Sequence, residues 1–224
     1  MDRSGDLVQR LGELFRKTVQ LKGKQERPFY EITSPPAKVF VYENETSGKA
    51  EVECAIPDGC GCIQWQLTQT GLFQFLQKDK NADGTFLLHR ASGELDAHVI
   101  ECKTTVDQKR WSEMTEQMRW TLRKLMALVG AIDRRLDRVV LYTAYRFDQL
   151  SEKESPNPAA ARRTIGPPEE QSPVEVELNA VRRGQLDWQR HCVRLRGFER
   201  PFHHRKIKLD ERTGRGSVEF VMLD

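Results

Sequence analysis

The chain has 224 residues, 38% of them hydrophobic and 31% charged, with 36 Lys or Arg against 33 Asp or Glu and a formal net charge of +3. That length accommodates one domain with a sizeable core, or a core domain with a smaller appendage. No apolar run approaches the roughly 20 residues of a membrane-spanning helix, and the opening MDRSGDLVQRLGELF mixes charge into its apolar residues, so a soluble, cytoplasmic protein without membrane contact is expected.

Leu7, Leu11, Leu14, Phe15 and Val19 recur at helical spacing behind Ser4, which predicts an amphipathic helix over residues 7–21. After Pro35-Pro36 comes a block of expected strands: KVFVYE (38–43), AEVECAI (50–56), CIQWQLT (62–68), TFLLHRA (85–91) and AHVIECKTT (97–105). Turn-forming pieces such as PDGCG and KDKNADG separate them. Trp111, Met114, Met118, Leu122, Leu125 and Val129 then form the apolar stripe of a long helix from Asp107 to about Val129, with Gly130 as its stop. RVVLYTAYR (138–146) has the continuous apolar character of a strand buried on both faces. Strand, helix and strand at this spacing predict a crossover and an α/β or α+β core over residues 1–150.

Residues 151–173 carry five prolines and almost no large apolar side chains, and read as a linker or loop. Residues 174–224 read as a β-rich basic extension that either continues the same sheet or forms a small subdomain. In it VEVELNA and CVRLRG are expected strands, and RKIKLDE and SVEFVML are joined by the turn-like RTGRG as a hairpin. From Val181 to Arg215 there are eleven Lys or Arg against four acids, interleaved with Trp188, Phe198 and Phe202. Such a stretch suits phosphate-backbone contact with some stacking on bases, and Arg194, Arg196, Arg205, Lys206 and Lys208 are its expected nucleic-acid contacts. A solvated face is the competing account. Arg119, Arg123 and Lys124 on the long helix add further phosphate contacts or, more commonly for such a pattern, a soluble helix face. No base-reading motif is visible.

Five cysteines without a secretion signal favour reduced thiols. Cys54, Cys60 and Cys62 would bind zinc only with a fourth ligand from His98, His191 or Cys192. Their C-x5-C-x-C spacing is not a zinc pattern, so they read as small core thiols. His191-Cys192 and His203-His204 read as basic-surface or core residues.

One strand end carries the sharper signal. Along AHVIECKTT, Glu101 and Lys103 share one face while His98, Ile100 and Cys102 share the other. A turn at Ser92-Gly93 pairs residues whose numbers sum to about 185, setting Asp83 or Gly84 across from Glu101 and Cys102, within roughly 5 Å. Asp83 and Glu101 can then share one ion. Asp96 ranks second, because it lies about 16 Å from Glu101 along the strand at roughly 3.3 Å per residue and points to the other face. Two carboxylates and a lysine suit a hard divalent cation that polarises a phosphoryl oxygen, with the lysine serving the attacking water.

Asp83 opening one strand of a hairpin, Glu101-Cys102-Lys103 ending the next, then a helix and an apolar strand: this arrangement resembles the PD-(D/E)xK nucleases. The resemblance spans about residues 80–146. It implies a restriction endonuclease-like mixed central sheet flanked by helices, with Mg²⁺ (or Mn²⁺ in its place) held by Asp83, Glu101 and the carbonyl of Cys102, and water served by Lys103. Members similar to the RecB group add a helical glutamine, for which Gln117 is the match, and an upstream helical glutamate, for which Glu13 is the one candidate. The chain departs from the pattern at Ala82, where a proline often stands, and at Trp120, where no reliable QxxxY partner follows Gln117. The expected activity is endonucleolytic hydrolysis of DNA rather than RNA, in prokaryotic defence, mobile-element or repair contexts, by a homodimer or a subunit of a larger nucleoprotein complex. The rival expectation is a non-catalytic nucleic-acid-binding or assembly subunit on the same scaffold.

Overall fold

The structure is a computed structural model that describes residues 3–20, 26–45, 48–67, 80–149 and 202–221. Among them, helices α1 (Arg3–Leu14) and α2 (Gln108–Ala131) accompany strands β1 (Thr18–Gln20), β2 (Glu26–Pro28), β3 (Tyr30–Thr33), β4 (Lys38–Glu45), β5 (Gly48–Ala55), β6 (Cys60–Trp65), β7 (Gly84–Arg90), β8 (Leu95–Val106), β9 (Arg138–Asp148), β10 (His203–Lys208) and β11 (Arg215–Glu219). The fold is α+β. The expected linker 151–173, the strands VEVELNA and CVRLRG, and the residues His191, Cys192, Arg194, Arg196, Trp188 and Phe198 lie outside the described residues.

A six-stranded sheet runs in the order β10-β9-β8-β7-β6-β3. Strands β3, β6, β7 and β8 are successively antiparallel. Helix α2 then carries the chain across to β9, parallel to β8, and β10 adds in parallel at the edge. Its two faces are covered differently. On one, Leu7 and Leu11 of α1 and the stripe Trp111, Met114, Met118, Leu122, Leu125 and Val129 of α2 bury Leu87, Ala97, Val99 and Leu141. On the other, a three-stranded sheet in the order β11-β5-β4 lays Val39, Val41, Val52 and Cys54 over Phe86, Leu88, Ile100, Cys102 and Tyr142. Each large apolar side chain wholly withdrawn from water in these layers contributes roughly 1.5–3 kcal/mol. The sheets approach closely at Gly84, where a Cβ would stand 2.5 Å from Val41 Cγ2.

Three expectations need correction. The first helix stops at Leu14, not 21. Phe15 instead turns its ring onto Trp65 and Phe29, at 5.7 and 6.0 Å, and Thr18–Gln20 pairs with Glu26–Pro28, so aromatic packing overrides a helical spacing. Gly130 does not end α2, which continues to Ala131 and closes where the Ile132 amide donates back to Val129 and Gly130 and Asp133 takes φ 55°. Finally, the last two strands are not paired as a hairpin. Asp210 accepts from the amides of Arg212 and Thr213 and turns the chain at a corner, sending β10 to the large sheet and β11 to the small one.

Candidate functional site

The β7–β8 hairpin pairs Gly84 with Ile100 through His89 with Leu95, within one residue of the expected register. Its turn is formed by Gly93 at φ 93°, whose amide donates to the Arg90 carbonyl over 2.9 Å. Asp83, one residue before the last pair, therefore stands opposite Glu101. The contact is direct on the backbone side, since the Cys102 amide donates to Asp83 Oδ2 at 2.7 Å. Glu101 is wholly buried, and the Lys103 ammonium is ion-paired with it. Asp83 is pushed well above the ordinary carboxylate range, first by burial and then by the Glu101 charge, against the pull of the Cys102 amide; Glu43 raises it further and Lys103 lowers it. Two acids held together in a place poor in water are the arrangement a cation relieves.

Strand alternation sends the Cys102 thiol to the opposite face, into the core between the sheets, where burial raises its pKa. Only its backbone faces Asp83. Among the described residues no three His, Cys, Asp or Glu side chains converge as a ready-made metal cage. Asp83 and Glu101 are the two carboxylates that could hold a cation here, and only one that keeps much of its water, as Mg²⁺ does, would accept so few protein ligands.

Helix α2 meets the segment leading into Asp83. Gln117 Nε2 donates to the Asn81 carbonyl at 3.3 Å, Thr121 Oγ1 accepts from the Ala82 amide at 2.7 Å, and Lys124 Nζ donates to Asn81 Oδ1 at 2.8 Å. Gln117 thus holds backbone near Asp83. Lys124 is buried rather than solvated, unlike exposed Arg123, whose guanidinium lies over Trp120 at 4.6 Å.

Other expected residues lie elsewhere. Asp96 sits at the far end of β8 on the sheet-covered face, ion-paired with Arg138 at 3.7 Å. Glu13 is exposed on α1 and accepts from Gln9. The acid that the sequence did not single out is Glu43 of β4. Val41 is seated against Gly84, and Glu43, two residues on along the same face, brings its charge to Asp83 and Cys102. No linear spacing could have revealed it, because the contact crosses between sheets.

The basic residues of β10 do not form one surface. Arg205 faces the inter-sheet core, where its charge reaches His98 and Tyr142. Lys206 is paired with Asp148 at 2.8 Å, and Lys208 with Glu211 at 3.1 Å, its ammonium 5.7 Å from the rings of Tyr145 and Phe147. His204 is buried against Thr143 at 2.8 Å, while His203 is exposed. Cys54, Cys60 and Cys62 are buried free thiols. Burial raises all three, Cys62 to about 12. His98 hydrogen-bonds Tyr142 at 3.0 Å.

No helix among the described residues is long and apolar enough to cross a membrane. No protein-family model, curated protein or solved structure matches the chain.

Proposed function

We propose that this chain is a divalent-metal-dependent phosphodiesterase of restriction endonuclease-like architecture that hydrolyses DNA, acting as a homodimer or within a nucleoprotein complex where both strands are cut. The observation that carries this reading is Asp83 seated on the Cys102 amide opposite buried Glu101, with Lys103 beside it. The order of hairpin, crossover helix and parallel strand around that point supports it.

Asp83 and Glu101 offer the anionic oxygens that hold Mg²⁺ or Mn²⁺. When bound, the cation supplies Lewis-acid polarisation of the phosphoryl group. Lys103, beside Glu101, carries three N–H donors that would orient the attacking water and offset charge growing on the phosphate. Burial of Glu101 keeps bulk water from screening these charges.

The test is cleavage of supercoiled and linear DNA with Mg²⁺ or Mn²⁺ by wild type, Asp83→Ala and Lys103→Ala. Cleavage confined to wild type with metal is the expected result. A second reading, a nucleic-acid-binding scaffold without catalysis, draws on the closed Glu101–Lys103 pair. It predicts DNA binding in all three proteins and cleavage in none.

A further inference from the structure

We infer that Thr121 and Lys124 of α2 are positioning residues that, with Gln117, clamp the Asn81-Ala82 segment and thereby hold the Asp83 carboxylate against Glu101. The consequence for cation binding rests on the function proposed above, whereas the clamp itself rests on contacts in the fold.

The three side chains lie at i, i+4 and i+7, one line along a helix. They bind the peptide unit that joins Asn81 to Ala82 at both its ends, carbonyl and amide, and the Asn81 side chain as well. Strand β7 begins only at Gly84, so this segment has no ladder bonds of its own, and the bonds from α2 stand in their place. A lysine 0% exposed is costly to bury and is tolerated only with its donors satisfied. Its bond to Asn81 Oδ1 ties the helix to the loop rather than to solvent.

The clamp opposes a specific force. Asp83 and Glu101 repel each other, and a carboxylate at a strand end relieves repulsion by swinging toward water. With Asn81 and Ala82 fixed, the Asp83 backbone is held where its Oδ2 meets the Cys102 amide. Gln117, Thr121 and Lys124 therefore act through Asp83 without needing to touch substrate.

The experiment uses the ¹⁵N-labelled full chain, with the Cys102 amide signal as reporter of the Asp83 contact and Mn²⁺ titration by calorimetry as the second readout. Thr121→Val keeps shape and removes the acceptor, Thr121→Ser keeps the hydroxyl, and Asn81→Ala, outside the packed helix, removes the Lys124 acceptor. Expected for Thr121→Val and Asn81→Ala are an upfield Cys102 amide, about tenfold faster exchange at that amide and about tenfold weaker Mn²⁺ binding, with Thr121→Ser restoring all three. An unmoved Cys102 amide in both variants, or a serine variant as impaired as the valine one, would overturn the clamp. Should the amide respond as expected while wild type takes up no Mn²⁺, the clamp stands and the metal-dependent reading falls. Mn²⁺ binding equal in wild type and every clamp variant removes the positioning role and leaves the cation site intact.

Discussion

Strand β8 has two faces that treat buried ionisable groups in opposite ways. Toward the second sheet, Asp96 is ion-paired with Arg138, and His98 lies on Tyr142 at 3.0 Å with Phe220 4.6 Å from its ring. Burial, with the Arg205 charge adding to it, lowers His98 to about 3 and keeps it neutral. Toward the helices, Glu101 is ion-paired with Lys103 and meets a second acid, Asp83. The sheet-covered face pairs or neutralises its ionisable groups, while on the helix-covered face Asp83 is held well above the ordinary carboxylate range beside a Glu101 that Lys103 already pairs. A buried carboxylate raised in this way is the perturbed kind of group that clusters at functional sites.

The largest effect that separates the faces is on activity. Asp83→Asn should remove cleavage by on the order of 10³-fold, the loss that several kcal/mol of transition-state stabilisation implies, while its urea midpoint stays level or rises as the repulsion disappears. Next comes the contact between layers. Gly84→Ala drives a methyl into Val41 and should cost about 1–3 kcal/mol in denaturant unfolding.

Asp96→Asn leaves Arg138 without its counter-charge and should cost about 1–2 kcal/mol, with Mn²⁺ binding and cleavage at wild-type levels. An Asp96 variant with impaired cleavage would erase the distinction between the faces.

The effect that is smallest at neutral pH is a slope. His98 is held neutral in the fold down to about pH 3, whereas an unfolded histidine takes up its proton near 6.5. Between those values the unfolded chain binds the extra proton, so this group's contribution is present above about pH 6.5 and falls away on acidification toward 3. The slope is at most about 1.4 kcal/mol per pH unit. Thermal melts of His98→Phe across that window should show a flatter acid limb than wild type.

The hairpin register was readable because period-two alternation and a single Ser-Gly turn leave few alternatives for which residue faces Glu101. The long helix was readable from its stripe. What escaped has a common cause, contact between segments far apart in the chain. Val19 fits a helical spacing, yet Phe15 finds a better place against Trp65 and Phe29. Lys124 looks like a solvated helix lysine until Asn81 covers it. Its alignment with Gln117 and Thr121, a polar line flush with the apolar stripe, was the one available hint. Glu43 gave none, and the β10–β11 turn read as a hairpin because the corner made by Asp210 has the same residues as a tight reversal.

Calorimetric titration of Mn²⁺ into wild type, Asp83→Asn, Glu101→Gln and Asp96→Asn tests the central claim most directly. The proposed cation site predicts saturable binding in wild type and Asp96→Asn and its loss in the other two. Equal binding in all four proteins, or none in wild type, would contradict it.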